Sequence, residues 1–92
     1  MVYNWNDEKN RELITERDIS FEEVVAYIES GHLLDTIEHP NLKKYPNQKV
    51  HIVNINSYIY LVPFVFENEF MFLKTIIPSR KFTKLYLGES NG

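Results

Sequence analysis

The sequence predicts one α+β domain in which two N-terminal helices pack on a curled antiparallel sheet, a meander, and a short C-terminal helix follows. Helix start and stop signals occupy residues 6–31, apolar segments separated by tight turns occupy residues 50–77, and a last amphipathic segment follows Ser79. A chain of 92 residues has room for a single domain. We place that domain at residues 1–88 and expect 89–92 to be a flexible tail.

The two N-terminal helices are predicted from their caps. Asn6 can cap a helix that runs through Arg17, and acidic side chains in the first turn oppose the positive end of the helix dipole. Ser20 and Glu23 form a capping box, and apolar residues follow at helical spacing. Gly31 is placed to end this second helix.

The strands are predicted from short apolar segments and the turns between them. The predicted strands are Val2 to Trp5, Leu33 to Glu38, Val50 to Ile55, Tyr58 to Phe66 and Phe70 to Ile77. Pro63 predicts an edge strand or a bulge. Alternation places Phe72, Lys74 and Ile76 on one face of the last strand, and both of its faces are largely apolar. This indicates a partner, a ligand groove, or a curled sheet from which Lys74 reaches water.

Charge is divided unevenly along the chain. Residues 1–40 carry ten acidic and three basic side chains, a net charge of −7, whereas residues 41–92 carry a net charge of +4. Such asymmetry is typical of a surface that faces a polyanion or a protein partner. Exposed helices that simply carry acidic side chains are the alternative explanation.

Several classes of function are disfavoured by composition. The chain has no cysteine, which excludes disulfides and thiolate sites and fits the cytoplasm. Its start does not resemble a signal peptide, and its longest apolar run is too short to span a membrane. The three histidines lack metal-binding spacing, and no glycine-rich phosphate loop is present. We therefore expect no metal and no cofactor.

Cations and a phenol gather near the C-terminus. They are Lys74, Arg80, Lys81, Lys84 and Tyr86. Metal-free RNA cleavage needs groups of this kind, because the 2′-hydroxyl must lose a proton, the 5′-oxygen must gain one, and the charge on phosphorus must be balanced. The alternative is a solvated amphipathic helix that buries Phe82, Leu85 and Tyr86.

Blocks at both ends of the chain resemble one protein family. Residues 5–9 read WNDEK, residues 19–23 read ISFEE, and residues 76–83 read IIPSRKFT. In this order and spacing the blocks are similar to those of BrnT-type toxins of bacterial type II toxin–antitoxin modules, which have a RelE-like ribonuclease architecture. The resemblance covers most of the chain.

The resemblance implies a metal-independent endoribonuclease that acts on mRNA, free or on the ribosome, and inhibits translation. It also implies a ribbon-helix-helix antitoxin as the partner. Carried over by position, Arg80 and Lys81 match the basic pair that we expect to be catalytic, Lys9 matches an N-terminal lysine, and Thr83 matches a threonine. The cations expected to bind RNA are Lys9, Lys74 and Lys84.

The general base of this reaction is left open by the sequence. Four side chains are chemically able to act as acid or base: Glu38, His39, His51 and Tyr86. The alternative function is a non-catalytic, toxin-like module that acts by gripping a protein partner.

Overall fold

A computed structural model describes residues 1–88 as three α-helices and a mixed, open sheet of six strands. The helices are α1 (Asp7–Arg17), α2 (Phe21–Tyr27) and α3 (Arg80–Leu87). The strands are β1 (Val2–Asn4), β2 (Leu33–Glu38), β3 (Lys49–Ile55), β4 (Tyr58–Glu67), β5 (Phe70–Leu73) and β6 (Ile77–Pro78). The predicted α+β class is confirmed, and the expected flexible tail at 89–92 lies outside the described residues.

The caps of α1 and α2 form as their sequences predict. The Asn6 side chain accepts a hydrogen bond from the backbone N–H of Lys9 at 2.8 Å. Ser20 and Glu23 make both hydrogen bonds of the capping box, at 3.1 and 2.9 Å. Beyond α2 the chain widens into a π-type turn at Ile28–His32, in which Gly31 has a φ of 94°. The glycine therefore supplies the left-handed residue at the expected stop.

The strands are ordered β1, β5, β4, β3, β2, and β6 lies beside β4. Strands β3 to β5 pair antiparallel in succession, as the predicted meander requires, and β2 also pairs antiparallel with β3. The sheet as a whole is mixed, because β1 runs parallel to β5 with Val2 opposite Phe70. A tight turn dictates an antiparallel pair, whereas β1 is joined to the other strands through two helices, which leave its direction free.

The prediction of one strand over Phe70 to Ile77 is wrong. Phe64 pairs with Leu73 and Leu61 pairs with Ile77, so two residues of β4 oppose three residues, 74–76. The carbonyl of Pro63 accepts from the N–H of Lys74 at 2.8 Å. The nitrogen of Pro63 faces the same neighbour, because N–H and C=O of one residue point to the same side in an antiparallel ladder. Proline has no backbone N–H to donate, and this missing donor therefore lies opposite the bulge at residues 74–76.

The bulge at residues 74–76 changes which side chains share a face. Leu73 and Ile76 are both fully buried in the same cluster, although simple alternation puts them on opposite faces. The predicted face of Ile76 is therefore wrong. Pro63 is buried within the central strand β4, so its predicted place at an edge is also wrong, while the predicted bulge occurs in the opposing chain.

Each face of the sheet packs against different helices. The first face meets α1 and α2 in a core cluster: Leu13, Ile19, Phe21, Val24, Val53, Ile55, Val62, Phe64, Leu73 and Ile76. The second face packs against α3 through Val50, Ile52 and Ile59. Its far end at β5 and β1 stays open, since Phe70 is 44% and Val2 is 55% exposed. No helix within residues 1–88 is long and apolar enough to cross a membrane.

A buried polar clamp joins α1 to α2. Asn10 is 7% exposed and donates to a carboxylate oxygen of Glu22 at 2.8 Å. Its carbonyl oxygen accepts from the backbone N–H of Phe21, also at 2.8 Å. The Phe21 ring stacks on Trp5 with the ring centroids 5.6 Å apart. These contacts hold the two helices in one layer and satisfy a buried amide.

Candidate nucleic-acid interface

The junction between β6 and α3 is fastened to the central strand. The N–H of Ser79 donates to the carbonyl of Ile59 at 2.9 Å, and the Ser79 hydroxyl accepts from the N–H of Phe82 at 3.0 Å. Thr83 continues this attachment, because its hydroxyl accepts from the N–H of Ile59 at 2.8 Å and donates to the carbonyl of Ser79 at 2.7 Å. Ser79 and Thr83 thus fix the position of α3 on β4.

One side of α3 is buried and the other carries cations. Phe82, Tyr86 and Leu87 pack on the second face of the sheet. Leu85 is 68% exposed, so its expected burial is wrong, although its i, i+3 spacing places it next to Phe82 around the helix. The exposed side forms a shallow surface depression lined by Arg80, Lys81, Lys84 and Leu85.

The cations of this depression lie apart from carboxylates. Within residues 1–88, no aspartate or glutamate lies within 4 Å of the charged nitrogens of Arg80, Lys81 or Lys84. Eight acidic residues between Asp7 and Glu29 belong to the α1 and α2 layer on the other face of the sheet. These eight carboxylates therefore lie across the sheet from α3, whereas the carboxylate of Asp35 lies beside α3 and accepts a hydrogen bond from the Tyr86 hydroxyl. The low net charge of the chain does not describe the exposed side of α3, which carries Arg80, Lys81 and Lys84.

Lys9 and Glu38, two other predicted site residues, lie away from the depression. Lys9 is in the first turn of α1, and its ammonium is 3.7 Å from Glu12. Glu38 is at the end of β2, 3.4 Å from the ammonium of Lys49. Both pairs are exposed and of little energetic weight. The structure does not bring Lys9 together with the cations of α3, because α1 and α3 cover opposite faces.

His51 lies on the face that packs against α1 and α2. Its ring is 4% exposed and stacks on Phe64 at 4.2 Å between centroids. Nδ1 lies 2.8 Å from the Thr36 hydroxyl and Nε2 lies 3.1 Å from the Met71 sulfur. Burial lowers the pKa of His51 to about 4. The sheet separates this neutral, enclosed ring from α3.

The free energy of unfolding is expected to fall as pH drops from 6.5 to 4, by at most about 3 kcal/mol from His51 alone. Between these values the unfolded chain takes up a proton that the folded ring refuses, so protonation favours unfolding. Above pH 6.5 the ring is neutral in both the folded and the unfolded state, so its titration no longer changes the free energy of unfolding. Urea unfolding of the unmodified protein and of His51→Gln across this pH range gives the free energy of unfolding of each as a function of pH. The two free energies should converge toward pH 4, and a constant difference between them would contradict the prediction.

Tyr86 and His39 each have a polar atom already occupied. The Tyr86 hydroxyl donates to a carboxylate oxygen of Asp35 at 2.9 Å, and this hydrogen bond raises the pKa of the phenol above its ordinary value. Nδ1 of His39 accepts from the N–H of Asn41 at 3.0 Å. The neutral His39 ring therefore carries its proton on Nε2 and has no free lone pair to act as a base.

A second concavity brings His39 and Lys74 together. It has a volume of about 310 Å³ and lies between the loop at residues 39–48 and the bulge at 74–76. The residues that line it are His39, Tyr45, Gln48, Pro63, Lys74, Thr75 and Ile77. We call it the loop cavity. Sequence reasoning missed Tyr45 and Gln48, because only the pairing of β3 with β4 and of β4 with β5 brings their loop close to Lys74. It also missed Thr75, which is the next residue after Lys74.

Residues 1–88 contain no group of three histidine or carboxylate side chains close enough to hold a metal ion.

Comparison with known proteins gives no significant match to a family model, a curated protein or a solved structure.

Proposed function

We propose that this chain is the toxin of a type II toxin–antitoxin module and cleaves RNA without a metal ion, on the RelE-like architecture of BrnT-type toxins. The observation that carries the proposal is the exposed side of α3. Arg80, Lys81 and Lys84 stand there side by side, without a carboxylate partner among residues 1–88 and across the sheet from the acidic helices. A polyanion is the ligand that suits such a surface.

In the proposed reaction the 2′-hydroxyl of the RNA gives its proton to water and attacks the adjacent phosphorus, and the 5′-oxygen leaves and takes up a proton from water. Arg80 donates hydrogen bonds to the phosphate oxygens on which negative charge grows, with Lys81 beside it. Lys74 and Lys84 hold the backbone on either side. Because the 2′-oxygen becomes part of the new phosphate ester, the products carry a 2′,3′-cyclic phosphate and a 5′-hydroxyl.

The direct test is incubation of the purified protein with RNA, with and without ribosomes, in buffer that contains EDTA. Cleavage that persists in EDTA and leaves cyclic phosphate ends is the expected result, since no step uses a metal. Intact RNA under every condition would contradict the catalytic proposal.

The partner in this proposal is a small ribbon-helix-helix antitoxin encoded beside the toxin. Expression of this chain alone is expected to slow growth, and co-expression of the neighbouring reading frame should restore it. The acidic surface of α1 and α2 is either solvated or a docking site for a cationic antitoxin segment. Antitoxin affinity that is unchanged in a triple variant of Glu12, Glu16 and Glu23 would favour the solvated surface.

A second candidate function, a non-catalytic module that grips a protein, is favoured by one observation. None of the four acid or base candidates lines the depression on α3, within the residues that the structure describes. The two functions differ in their response to salt. Phosphate contacts weaken RNA binding as salt rises, with a slope of roughly −0.7 per contact for a single strand, and a module that binds protein alone should show no such RNA affinity.

A further inference from the structure

The loop cavity is a preformed concavity on a hydrogen-bonded loop. The N–H of Tyr45 donates to the carbonyl of Asn41 at 2.9 Å, and the N–H of His39 donates to the carbonyl of Gln48 at 3.3 Å. A third bond runs from the N–H of Gln48 to the carbonyl of Tyr45 at 3.2 Å. The cavity volume of about 310 Å³ is at the lower end of the range for small-molecule pockets. It therefore suits one planar group rather than a large ligand.

Two aromatic rings contribute to the lining of the loop cavity, those of His39 and Tyr45, and the ammonium of Lys44 lies 5.4 Å from the centre of the Tyr45 ring. The rings of His39 and Tyr45 lie 4.5 Å apart between centroids and are tilted by 38°. Because Nδ1 of His39 accepts a hydrogen bond from the N–H of Asn41, the neutral ring carries its proton on Nε2, which can act as a hydrogen-bond donor. Gln48 and Thr75, which carry an amide and a hydroxyl, belong to the same lining. Aromatic faces with a few donors and acceptors are the groups that recognise an unstacked base.

One cation lines the loop cavity, and two more belong to the loop that forms one side of it. Lys74 lines it, with its ammonium 5.1 Å from the centre of the Phe72 ring, and the loop itself carries Lys43 and Lys44. In the part of the chain from 1 to 88, none of these three lysines has a carboxylate within 4 Å of its ammonium. A base in the cavity would thus place its phosphate beside positive charge.

The loop cavity is also close along the chain to the cations of α3. Ile77 forms part of its lining, and Arg80 follows three residues later. Three residues of extended chain reach roughly 10 Å at most. A short RNA segment can therefore lie with one nucleotide at the cavity and a neighbouring phosphate at the start of α3.

We infer that the loop cavity is a binding site for one unstacked RNA base. Tyr45 and His39 form the stacking wall, and Lys74 neutralises the phosphate of that nucleotide. This inference depends on the proposed action on RNA and adds to it a subsite that selects for a base, apart from the cations that hold the backbone.

The test compares two short RNAs, a trinucleotide and its abasic counterpart, which has the same phosphates and no bases. Tyr45→Ala is expected to lower affinity for the trinucleotide about tenfold and to leave affinity for the abasic RNA unchanged, because stacking needs the base. Tyr45→Phe keeps the ring and should bind the trinucleotide within about twofold of the unmodified protein. The slope of affinity against salt should be the same for all three proteins, because Tyr45 contacts no phosphate.

Each other outcome overturns the inference. If the unmodified protein binds both RNAs equally, or if Tyr45→Ala weakens both by the same factor, the cavity does not hold a base; the first comparison needs no variant to fold. A protein side chain as the occupant would leave the trinucleotide affinity unaffected by Tyr45→Ala. If the unmodified protein binds neither RNA, the proposed function fails together with the inference, so the two failures are distinguishable.

Discussion

Arg80→Ala is expected to lower the rate of RNA cleavage by about 10²- to 10³-fold with little change in stability. Removal of one positioned hydrogen-bond donor from a site of developing negative charge has an effect of this size. Arg80 is exposed at the start of α3, and the contacts that fix this helix come from Ser79, Thr83 and Phe82 instead. The substitution therefore removes charge without removing packing.

The measurement is the initial rate of cleavage of one RNA substrate at fixed salt in EDTA. Arg11→Ala is the matched control, because Arg11 is an exposed arginine on α1, across the sheet from α3, and its loss should leave the rate within about twofold. Arg80→Lys should retain part of the rate, since it keeps the charge but not the two-pronged hydrogen bonding. Equal rates for Arg80→Ala and Arg11→Ala would show that Arg80 takes no part in cleavage.

Phe21→Ala is expected to lower the free energy of unfolding by about 3–5 kcal/mol, the usual cost of deleting a fully buried aromatic side chain. Phe21 is 0% exposed and belongs to the core beneath α1 and α2. It also stacks on Trp5, so its removal leaves a cavity next to the indole ring. A change of this size is a large part of the stability of a small domain.

Urea unfolding followed by the fluorescence of Trp5 checks this expectation, since Trp5 is the single tryptophan. Phe66→Ala is the matched control: Phe66 is 59% exposed, and its loss should change the free energy of unfolding by no more than about 0.5 kcal/mol. Similar losses for the two variants would show that burial does not decide the effect.

The net charge of the chain and the local charge at α3 differ in sign. Net charge −3 is low for a protein that binds RNA. However, the acidic residues of α1 and α2 and the cations of α3 lie on opposite faces. Salt in solution screens exposed charges over about 8 Å at physiological ionic strength, so charges close to a bound phosphate have the largest effect on it. Local charge, rather than the total, determines whether that surface attracts RNA.

The helices and their ends were predictable from the sequence because the signals are local. Asn6, Ser20 and Ser79 each cap the helix that follows, through hydrogen bonds that span only three residues. The grouping of cations at the candidate site was predictable for the same reason. Arg80, Lys81 and Lys84 share a side of α3 because of helical spacing alone.

Local signals were therefore enough to predict the α+β class, the capped starts of the helices, the antiparallel meander of β3 to β5, and the row of cations on α3. The parallel pairing of β1, the bulge opposite Pro63, the burial of His51 on the face away from α3, and the loop cavity became visible only in the folded chain. The difference lies in distance along the chain. Caps and turns act between near neighbours, whereas the register of β4 against residues 70–78 and the face of each side chain depend on pairings between segments far apart in sequence.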